Sequence, residues 1–363
     1  MFSQYILILI WIGVMSVIAG SGIFSKVEMI GGQKEYRLSW WFAFVMFLPV
    51  ILMAGNRTIY IGDTNAYMKG FLNTPDVLSL ELLAGKDWGV SVFSIIIKKI
   101  IGDNASVFLM IIAVIQGILV VDFFRKYSYN YAISIFLFVV SSDFISWMYN
   151  GIRQFLAVTI ILAGTSLMLS RKYIALLFVI LLASTFHQSA LLMIPFVLIA
   201  QGKAWNKRTI FFIILVILAV LFVERFTDFL DDSLANTQYA NVVSDYTSWE
   251  DDGTNPFRVL VYSIPALLSF LGKGRIRESE NELVNFCTNM SIISMGLYLV
   301  SMVTSGIFIG RLPIYVSLYG YILLPWEIEN LFTRESKRMV YIGMVCAYLM
   351  FYYYQMHLTY GLF

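Results

Sequence analysis

Twelve apolar runs separated by short polar stretches divide most of the chain. They occupy residues 5–21, 39–54, 105–121, 131–149, 153–170, 173–186, 189–200, 209–223, 259–271, 285–304, 312–327 and 338–354. A helix needs about 20 apolar residues to cross a bilayer. Only 13% of the residues are charged, against roughly 25% in soluble domains. We therefore predict an all-α polytopic membrane protein with about twelve transmembrane helices, folded as a single integral-membrane domain over residues 1–363.

Two polar regions interrupt this pattern. One is residues 55–104, which contain a short apolar stretch at 88–101 flanked by charge, and we expect this stretch to be a re-entrant or interfacial helix. The other is residues 224–258, with eight acidic and two basic residues. We interpret the acidic loop either as an outer lid whose aromatic rings stack on sugars or as an ordinary solvated loop.

The positions of lysine and arginine orient the predicted spans, because cytoplasmic loops carry an excess of these residues. With the N-terminus outside, the inner loops hold 16 of the 25 basic residues. Dividing 173–200 at His187 keeps Arg171 and Lys203 on the same inner side, whereas one long span would separate them. We therefore expect both termini outside, and one outer face that carries Arg57, Asp63, Arg153, His187, Arg258 and Arg311.

Two arginines each lie beside the start of an apolar run. Arg153 follows the Asn150-Gly151 turn, and Arg311 stands two residues before Pro313, which suits a first helical turn. A cation at a helix N-terminus opposes the helix dipole unless an anion binds there. The two arginines together indicate a phosphate or pyrophosphate clamp, although each alone fits equally well an arginine that reaches toward the interface.

Acid–base chemistry has two candidate residues. His187 lies at a predicted helix break, with Ser189 as an expected helix N-cap, and a neutral imidazole can accept a proton from a hydroxyl group. A buried histidine satisfied by a carbonyl explains its position equally well. Asp63 is four residues before Tyr67, so the two share a face if the segment is helical. They would then hold sugar hydroxyls, or Asp63 would be the base; an ordinary polar loop is the simpler interpretation.

Several chemistries lack their sequence motifs. The chain has no P-loop, no nucleophile-elbow motif and no cysteine–histidine metal cluster. Cys287 and Cys346 lie in apolar stretches and read as small hydrophobic residues. The basic residues form no stripe of the kind that binds nucleic acid. We therefore predict no metal, no cofactor and no nucleic-acid partner.

Four groups of residues recur in one order. They are Arg57…Asp63-Thr64…Tyr67, Asn150-Gly151-Ile152-Arg153-Gln154, His187-Gln188-Ser189-Ala190 and Gly310-Arg311…Tyr315. This order resembles the EpsG-like branch of the Wzy-type bacterial polysaccharide polymerases, and the resemblance extends from about residue 55 to 320.

The resemblance implies a membrane glycosyltransferase related to the O-antigen ligases, with a C-type glycosyltransferase fold. Such enzymes transfer a growing glycan from undecaprenyl pyrophosphate to a sugar hydroxyl of the next lipid-linked repeat unit, without a nucleotide sugar, on the extracytoplasmic side of the bacterial cytoplasmic membrane. His187 or Asp63 would be catalytic. The residues expected to bind pyrophosphate or sugar are Arg57, Tyr67, Asn150, Arg153, Gln154, Ser189, Arg258, Arg311 and Tyr315. A chain-length-regulating co-polymerase is an expected partner.

Two other functions remain open at this stage. A flippase for lipid-linked oligosaccharides would line a path between the two membrane faces with charges and would not need a proton-accepting histidine. A membrane acyltransferase also uses a histidine at a helix break, but its donor is commonly loaded from the cytoplasmic side, where this chain offers mainly solvated basic loops.

Overall fold

The structure is a computed structural model that describes residues 2–30, 33–235 and 253–361. The chain divides into two compact units, Met1–Leu191 with Arg334–Phe363, and Leu192–Thr333. Each unit has its own helix packing, and the single integral-membrane domain over residues 1–363 stays a prediction. The predicted loop 224–258 falls partly outside the described residues.

The first unit is mainly helical. Its elements in chain order are α1 (Phe2–Gly20), β1 (Ser25–Ile30), β2 (Gln33–Leu38), α2 (Trp40–Gly55), α3 (Thr64–Leu72), α4 (Leu80–Ala84), α5 (Trp88–Ile101), α6 (Ala105–Tyr127), α7 (Tyr131–Val140), α8 (Ile152–Ala163), α9 (Thr165–Leu169), α10 (Tyr173–Phe186) and, from the C-terminal segment, α18 (Arg334–Tyr354). A π-helical turn, Phe144–Asn150, follows α7, and another, Gln355–Thr359, follows α18. A 3₁₀ turn, Gln188–Leu192, follows α10.

The second unit is also helical. Its elements are α11 (Met193–Ala200), α12 (Lys207–Leu221), α13 (Val223–Leu234), α14 (Pro256–Leu271), α15 (Lys273–Glu278), α16 (Glu282–Met302) and α17 (Ile314–Leu331), with a 3₁₀ turn, Ile309–Arg311, before α17. Within this unit α16 packs against α12, α14 and α17. Asn289 on α16 is fully buried and accepts a hydrogen bond from the backbone of Trp205, which fixes the loop before α12.

Helix length and composition support a membrane protein. Among the described residues, α6 and α16 are each long and apolar enough to cross a membrane, and the number rises to four if each of two bent helix pairs counts as one span. Shorter apolar helices cover most of the other predicted spans. The 14-residue α10 rises about 21 Å, less than the roughly 30 Å hydrocarbon core. The count of twelve spans and the ligase-like fold therefore stay predictions.

The run at 131–149 is not one straight helix, contrary to the sequence prediction. The axes of α7 and the following π-helical turn differ by 69°. Ser142 lies between them with a left-handed φ of 56°, and its hydroxyl donates to the carbonyl of Ser141 at 2.7 Å. Serine side chains that bond to nearby backbone compete with helical hydrogen bonds, so the Ser141-Ser142-Asp143 sequence breaks the helix.

Two other elements differ from the predicted layout. The strands β1 and β2 pair in antiparallel fashion between α1 and α2, so the described part of the chain is not entirely helical. The beginning of the acidic region is a helix, α13, bent by 104° from α12. Its Phe226 and Leu230 pack against a cluster that includes Val216 and Ile309, so this part is not a free loop.

Most of the predicted polar residues of the first unit lie in, or next to an end of, helices α3, α8 and α10. Helix α6 packs against both α3 and α8, and α10 packs against both α5 and α8. Phe71 of α3 stacks on Phe108 of α6 with ring centroids 4.1 Å apart. These contacts bring together residues that are far apart in sequence at the starts of α3, α5 and α8 and at the end of α10.

Candidate active site

Asn150 connects the start of α3 to the start of α8. Its side-chain Oδ1 accepts a hydrogen bond from the backbone N–H of Asp63 at 3.2 Å, and the Tyr67 hydroxyl donates to its carbonyl oxygen. Asp63 is the N-cap residue of α3, and its side chain makes no capping hydrogen bond. The Asp63 residue is exposed. The structure therefore brings together Asn150, the backbone of Asp63 and the hydroxyl of Tyr67.

Arg57 lies beside this group but is buried. Its Nε donates to the Thr64 hydroxyl at 2.8 Å, and its Nη1 donates to the carbonyl of Ala54. The guanidinium carbon is 5.7 Å from the centre of the Tyr149 ring, while Nη2 is buried without a hydrogen-bond partner. Burial lowers the pKa of Arg57 to about 10, which leaves the side chain charged at neutral pH. Any anion that binds Arg57 must therefore enter buried space.

Arg153 lies in the first turn of α8, whose N-cap is Gly151. Its Nη1 forms an ion pair with Oδ2 of Asp87 at 3.0 Å. The Arg153 side chain is 42% exposed, whereas that of Asp87 is 1% exposed. Because a guanidinium carries five N–H donors, one bond to Asp87 leaves most of its donor capacity for an anion.

Asp87 is a site residue that the sequence reasoning missed. Its second oxygen, Oδ1, accepts the backbone N–H of Gln188 at 3.3 Å. Burial raises the pKa of Asp87, and the positive charge of Arg153 opposes that shift. An aspartate immediately before an apolar helix is a typical N-cap signal, and it could have drawn attention to this position. Here the side chain makes no capping bond to its own helix.

His187 ends α10 in an extended conformation, with φ −158° and ψ 118°. Its Nδ1 is 2.6 Å from the hydroxyl oxygen of Ser189. Gln154 on α8 donates from Nε2 to the same hydroxyl at 3.4 Å. The predicted helix break at His187 is thus present. The expectation that Ser189 caps the next helix is wrong, because Ser189 lies inside a 3₁₀ turn and the N-cap of α11 is Leu192.

A cavity of about 320 Å³ opens beside Arg153. Tyr67 and Arg153 contribute its polar groups together with small hydroxyl side chains such as Ser91. Phe71, Phe93, Phe108 and other apolar residues form much of the remaining wall. Small-molecule sites commonly combine mostly apolar walls with a few polar groups, and this cavity has that character.

The other predicted residues belong to the second unit. Arg258 lies in the first turn of α14, and its guanidinium carbon is 5.9 Å from the centre of the Tyr262 ring. Arg311 is exposed in the 3₁₀ turn before α17, so it precedes the helix and does not lie in its first turn. Tyr315 is fully buried in α17. Near them, the Ser301 hydroxyl donates to that of Thr254 at 2.8 Å.

The apolar helices indicate a helical membrane protein. In its first unit, hydrogen bonds join arginine, carboxylate, histidine and hydroxyl groups into one candidate site. The sequence model of the EpsG family matches residues 40–362, so the chain belongs to the EpsG family. EpsG is a polysaccharide polymerase-like family. Neither the curated proteins nor the solved structures contain a match to the chain.

Proposed function

We propose that the protein polymerises lipid-linked oligosaccharide repeat units on the extracytoplasmic face of a bacterial cytoplasmic membrane. In this reaction the growing glycan leaves undecaprenyl pyrophosphate and joins a sugar hydroxyl of the next lipid-linked unit. Membership of the EpsG family supports a role in polysaccharide biosynthesis. The donor and acceptor are both attached to lipid, which agrees with a site built among apolar helices.

One observation carries the proposal: of two consecutive residues of α8, Gln154 is bonded to the segment that holds His187, and Arg153 is linked to that segment through Asp87. Arg153 reaches it through Asp87, which accepts the N–H of Gln188. Gln154 reaches it through Ser189, whose hydroxyl contacts His187. A candidate anion-binding group and a candidate base are therefore held in one hydrogen-bonded arrangement, as transfer from a pyrophosphate to a hydroxyl requires.

The proposed chemistry follows from these groups. The oxygen of the acceptor hydroxyl attacks the anomeric carbon of the donor sugar, and the bond from that carbon to the pyrophosphate oxygen breaks. Arg153 stabilises the negative charge on the departing lipid pyrophosphate. His187 takes the hydroxyl proton; donation from Nδ1 to Ser189 gives the neutral tautomer whose lone pair is on Nε2. Asp63 is the alternative base.

The cavity beside Arg153 supports a lipid pyrophosphate as donor. Its arginine suits the pyrophosphate, and its apolar wall suits the beginning of the hydrocarbon tail. Tyr67 at the same cavity offers a phenol for a sugar hydroxyl or ring.

We propose supporting roles in donor or acceptor binding for Arg57, Asn150, Gln154 and Ser189 in the first unit and for Arg258, Arg311 and Tyr315 in the second. A chain-length-regulating co-polymerase is a proposed partner, and the reaction is proposed to need neither metal nor nucleotide sugar.

The decisive experiment supplies the purified full chain, in a lipid bilayer disc, with lipid-linked repeat units extracted from a strain that lacks the gene. We expect a ladder of products whose masses differ by one repeat unit, in the presence of EDTA and without nucleotide sugars.

The strain that lacks the gene also distinguishes a polymerase from a flippase. A lost polymerase leaves single repeat units capping the surface glycan, whereas a lost flippase leaves units trapped on the cytoplasmic face. Absence of a ladder from accessible units would refute the proposal.

A further inference from the structure

We propose that Asp87 is a positioning residue, whose carboxylate holds Arg153 and the His187 segment in fixed register. The inference rests on the proposed function, since it concerns how the two reacting groups of that site are kept in place. Asp87 is 66 residues from Arg153 and 101 residues from Gln188. One side chain therefore joins the beginnings or ends of three separate elements, α5, α8 and the turn after α10.

The two carboxylate oxygens have different partners. Oδ2 accepts from Arg153 Nη1 at 3.0 Å, and Oδ1 accepts from the backbone of Gln188 at 3.3 Å. The Asp87 side chain is 1% exposed, but the Arg153 side chain is 42% exposed. Substrate in the cavity can thus reach Arg153, whereas Asp87 lies behind it. Asp87 acts through Arg153, and for that reason it is not assigned a catalytic role.

The local backbone directs this carboxylate away from its own helix. Asp87 occupies the N-cap position of α5 with a left-handed φ of 51°, and its side chain makes no capping bond. Aspartate and asparagine tolerate this conformation better than most residues. Two residues later, a side chain on Gly89 would collide with Thr185 of α10. The close contact at Gly89 keeps α5 against α10, so the bridge made by Asp87 connects elements that are already fixed in place.

The charge of Asp87 has two opposite effects on Arg153. It partly offsets the positive charge, which weakens the binding of an anion, and it fixes the direction of the guanidinium, which favours transfer. Replacing Asp87 by asparagine keeps the size and tolerates the left-handed backbone but removes the charge. Anion binding should then become tighter while transfer becomes slower. A general loss of folding would weaken binding and slow transfer together.

The test compares Asp87→Asn, Arg153→Gln and the double variant with the wild type, using the full chain in bilayer discs. Binding is measured with inorganic pyrophosphate, and transfer is measured as the rate of ladder formation. We expect Asp87→Asn to lower the Kd for pyrophosphate several-fold and to slow transfer at least tenfold. Arg153→Gln should abolish pyrophosphate binding, and the double variant should equal Arg153→Gln in both measurements. Asp103→Asn, which removes the charge of an exposed carboxylate 3.1 Å from Lys98, is the matched control and should behave as wild type.

The outcomes separate the inference from the proposed function. Asp87→Asn with wild-type transfer, or with weaker pyrophosphate binding, overturns the positioning role. If the wild type binds pyrophosphate but makes no ladder, the polymerase proposal fails, and the binding measurement alone then decides for or against Asp87. If Asp87→Asn does not fold, Asp87→Glu keeps the charge but lengthens the side chain; slower transfer at unchanged pyrophosphate affinity supports the role, and wild-type transfer overturns it.

Discussion

The Oδ1 atom of Asn150 accepts a hydrogen bond from the backbone N–H of Asp63, 87 residues away, at 3.2 Å. Gly62 permits this approach, because it has a φ of 49° and any side chain there would occupy the place of the Asn150 amide. The start of α3 and the turn before α8 therefore depend on a residue that has no side chain.

We expect Gly62→Ala to destabilise the protein by about 1–3 kcal/mol, because it introduces both a clash and a left-handed alanine. It should also slow transfer, since Asn150 and Tyr67 would shift. Gly70→Ala is the matched control, because Gly70 lies inside α3 with nothing near its Cβ position and alanine is favoured in a helix. Thermal unfolding in bilayer discs measures the stability of both variants, and ladder formation measures their rates of transfer. Equal melting temperatures for the two variants would contradict the prediction.

Arg153→Lys should reduce the rate of transfer by orders of magnitude while leaving membrane insertion unchanged. Lysine keeps the charge but loses the planar fork with which arginine bonds both Asp87 and a phosphate group. Arg275→Lys is the control, because Arg275 forms an exposed pair with Glu278 at 3.5 Å in α15. Product ladders made with equal amounts of inserted protein provide the measurement, and a wild-type ladder from Arg153→Lys would rule out the proposed role.

His187→Ala should slow transfer by about 10²–10⁴-fold, the usual contribution of a general base. Ser189→Ala removes the partner of His187 Nδ1 and should have a smaller effect in the same direction, because the ring loses its fixed orientation. His357→Ala is the control, since that histidine stacks on Tyr353 in the C-terminal part of the chain. Should His187→Ala retain full activity, Asp63→Asn becomes the variant to measure.

Acid should slow transfer at a higher pH than an exposed aspartate would predict. Burial raises the pKa of Asp87 above the usual value of about 3.9. As the pH falls through this raised pKa, the carboxylate gains a proton and no longer holds Arg153. The normalised rate of Asp87→Asn should lack this part of the acid loss, while the profile of Asp103→Asn should follow the wild type. Coincident profiles for wild type and Asp87→Asn would show that Asp87 does not titrate in this range.

The sequence predicted helix positions well because apolar runs and polar boundaries are local features. Helices α5 and α10 begin and end close to the predicted limits. The sequence analysis missed the break after α7, because the chain becomes apolar again at Phe144 and Ile145. The three polar residues before them, 141–143, were therefore included in one apolar run. The boundaries of the two units could not be read from the sequence, since such a division depends on contacts between distant residues.

In the candidate site, too, features that are local in the sequence could be predicted, whereas contacts between distant residues could not. Residue type and helix position identified Arg153 and His187 as candidates. The partner of Arg153 could not be read from the sequence, because Asp143 is nearer in the chain than Asp87, which forms the pair. Likewise, the sequence suggested that the hydroxyl of Ser189 caps a helix, but in the structure this hydroxyl is hydrogen-bonded to His187 and Gln154.

The predicted orientation can be tested with cysteines at two exposed positions, Asp76 and Lys203. The starting protein should carry Cys346→Ser, because Cys346 is exposed while Cys287 is buried. We expect a membrane-impermeant maleimide to label position 76 in intact cells and position 203 only after permeabilisation. Labelling of position 203 from outside would refute the division of 173–200 at His187.

The 69° bend after α7 also constrains how the chain passes through the membrane. If Arg125 and Arg171 lie on the same side, as the charge rule requires, the chain between them makes an even number of crossings. If the site faces outward as proposed, the bent pair and the α8–α9 segment are both full crossings, because an excursion that returned to the inner side would leave Arg153 there. Asn150 and Arg153 then stand where the chain reverses direction. Residues at such a reversal point belong to the same membrane face as both neighbouring helix ends, which suits residues that must meet a substrate arriving along the bilayer.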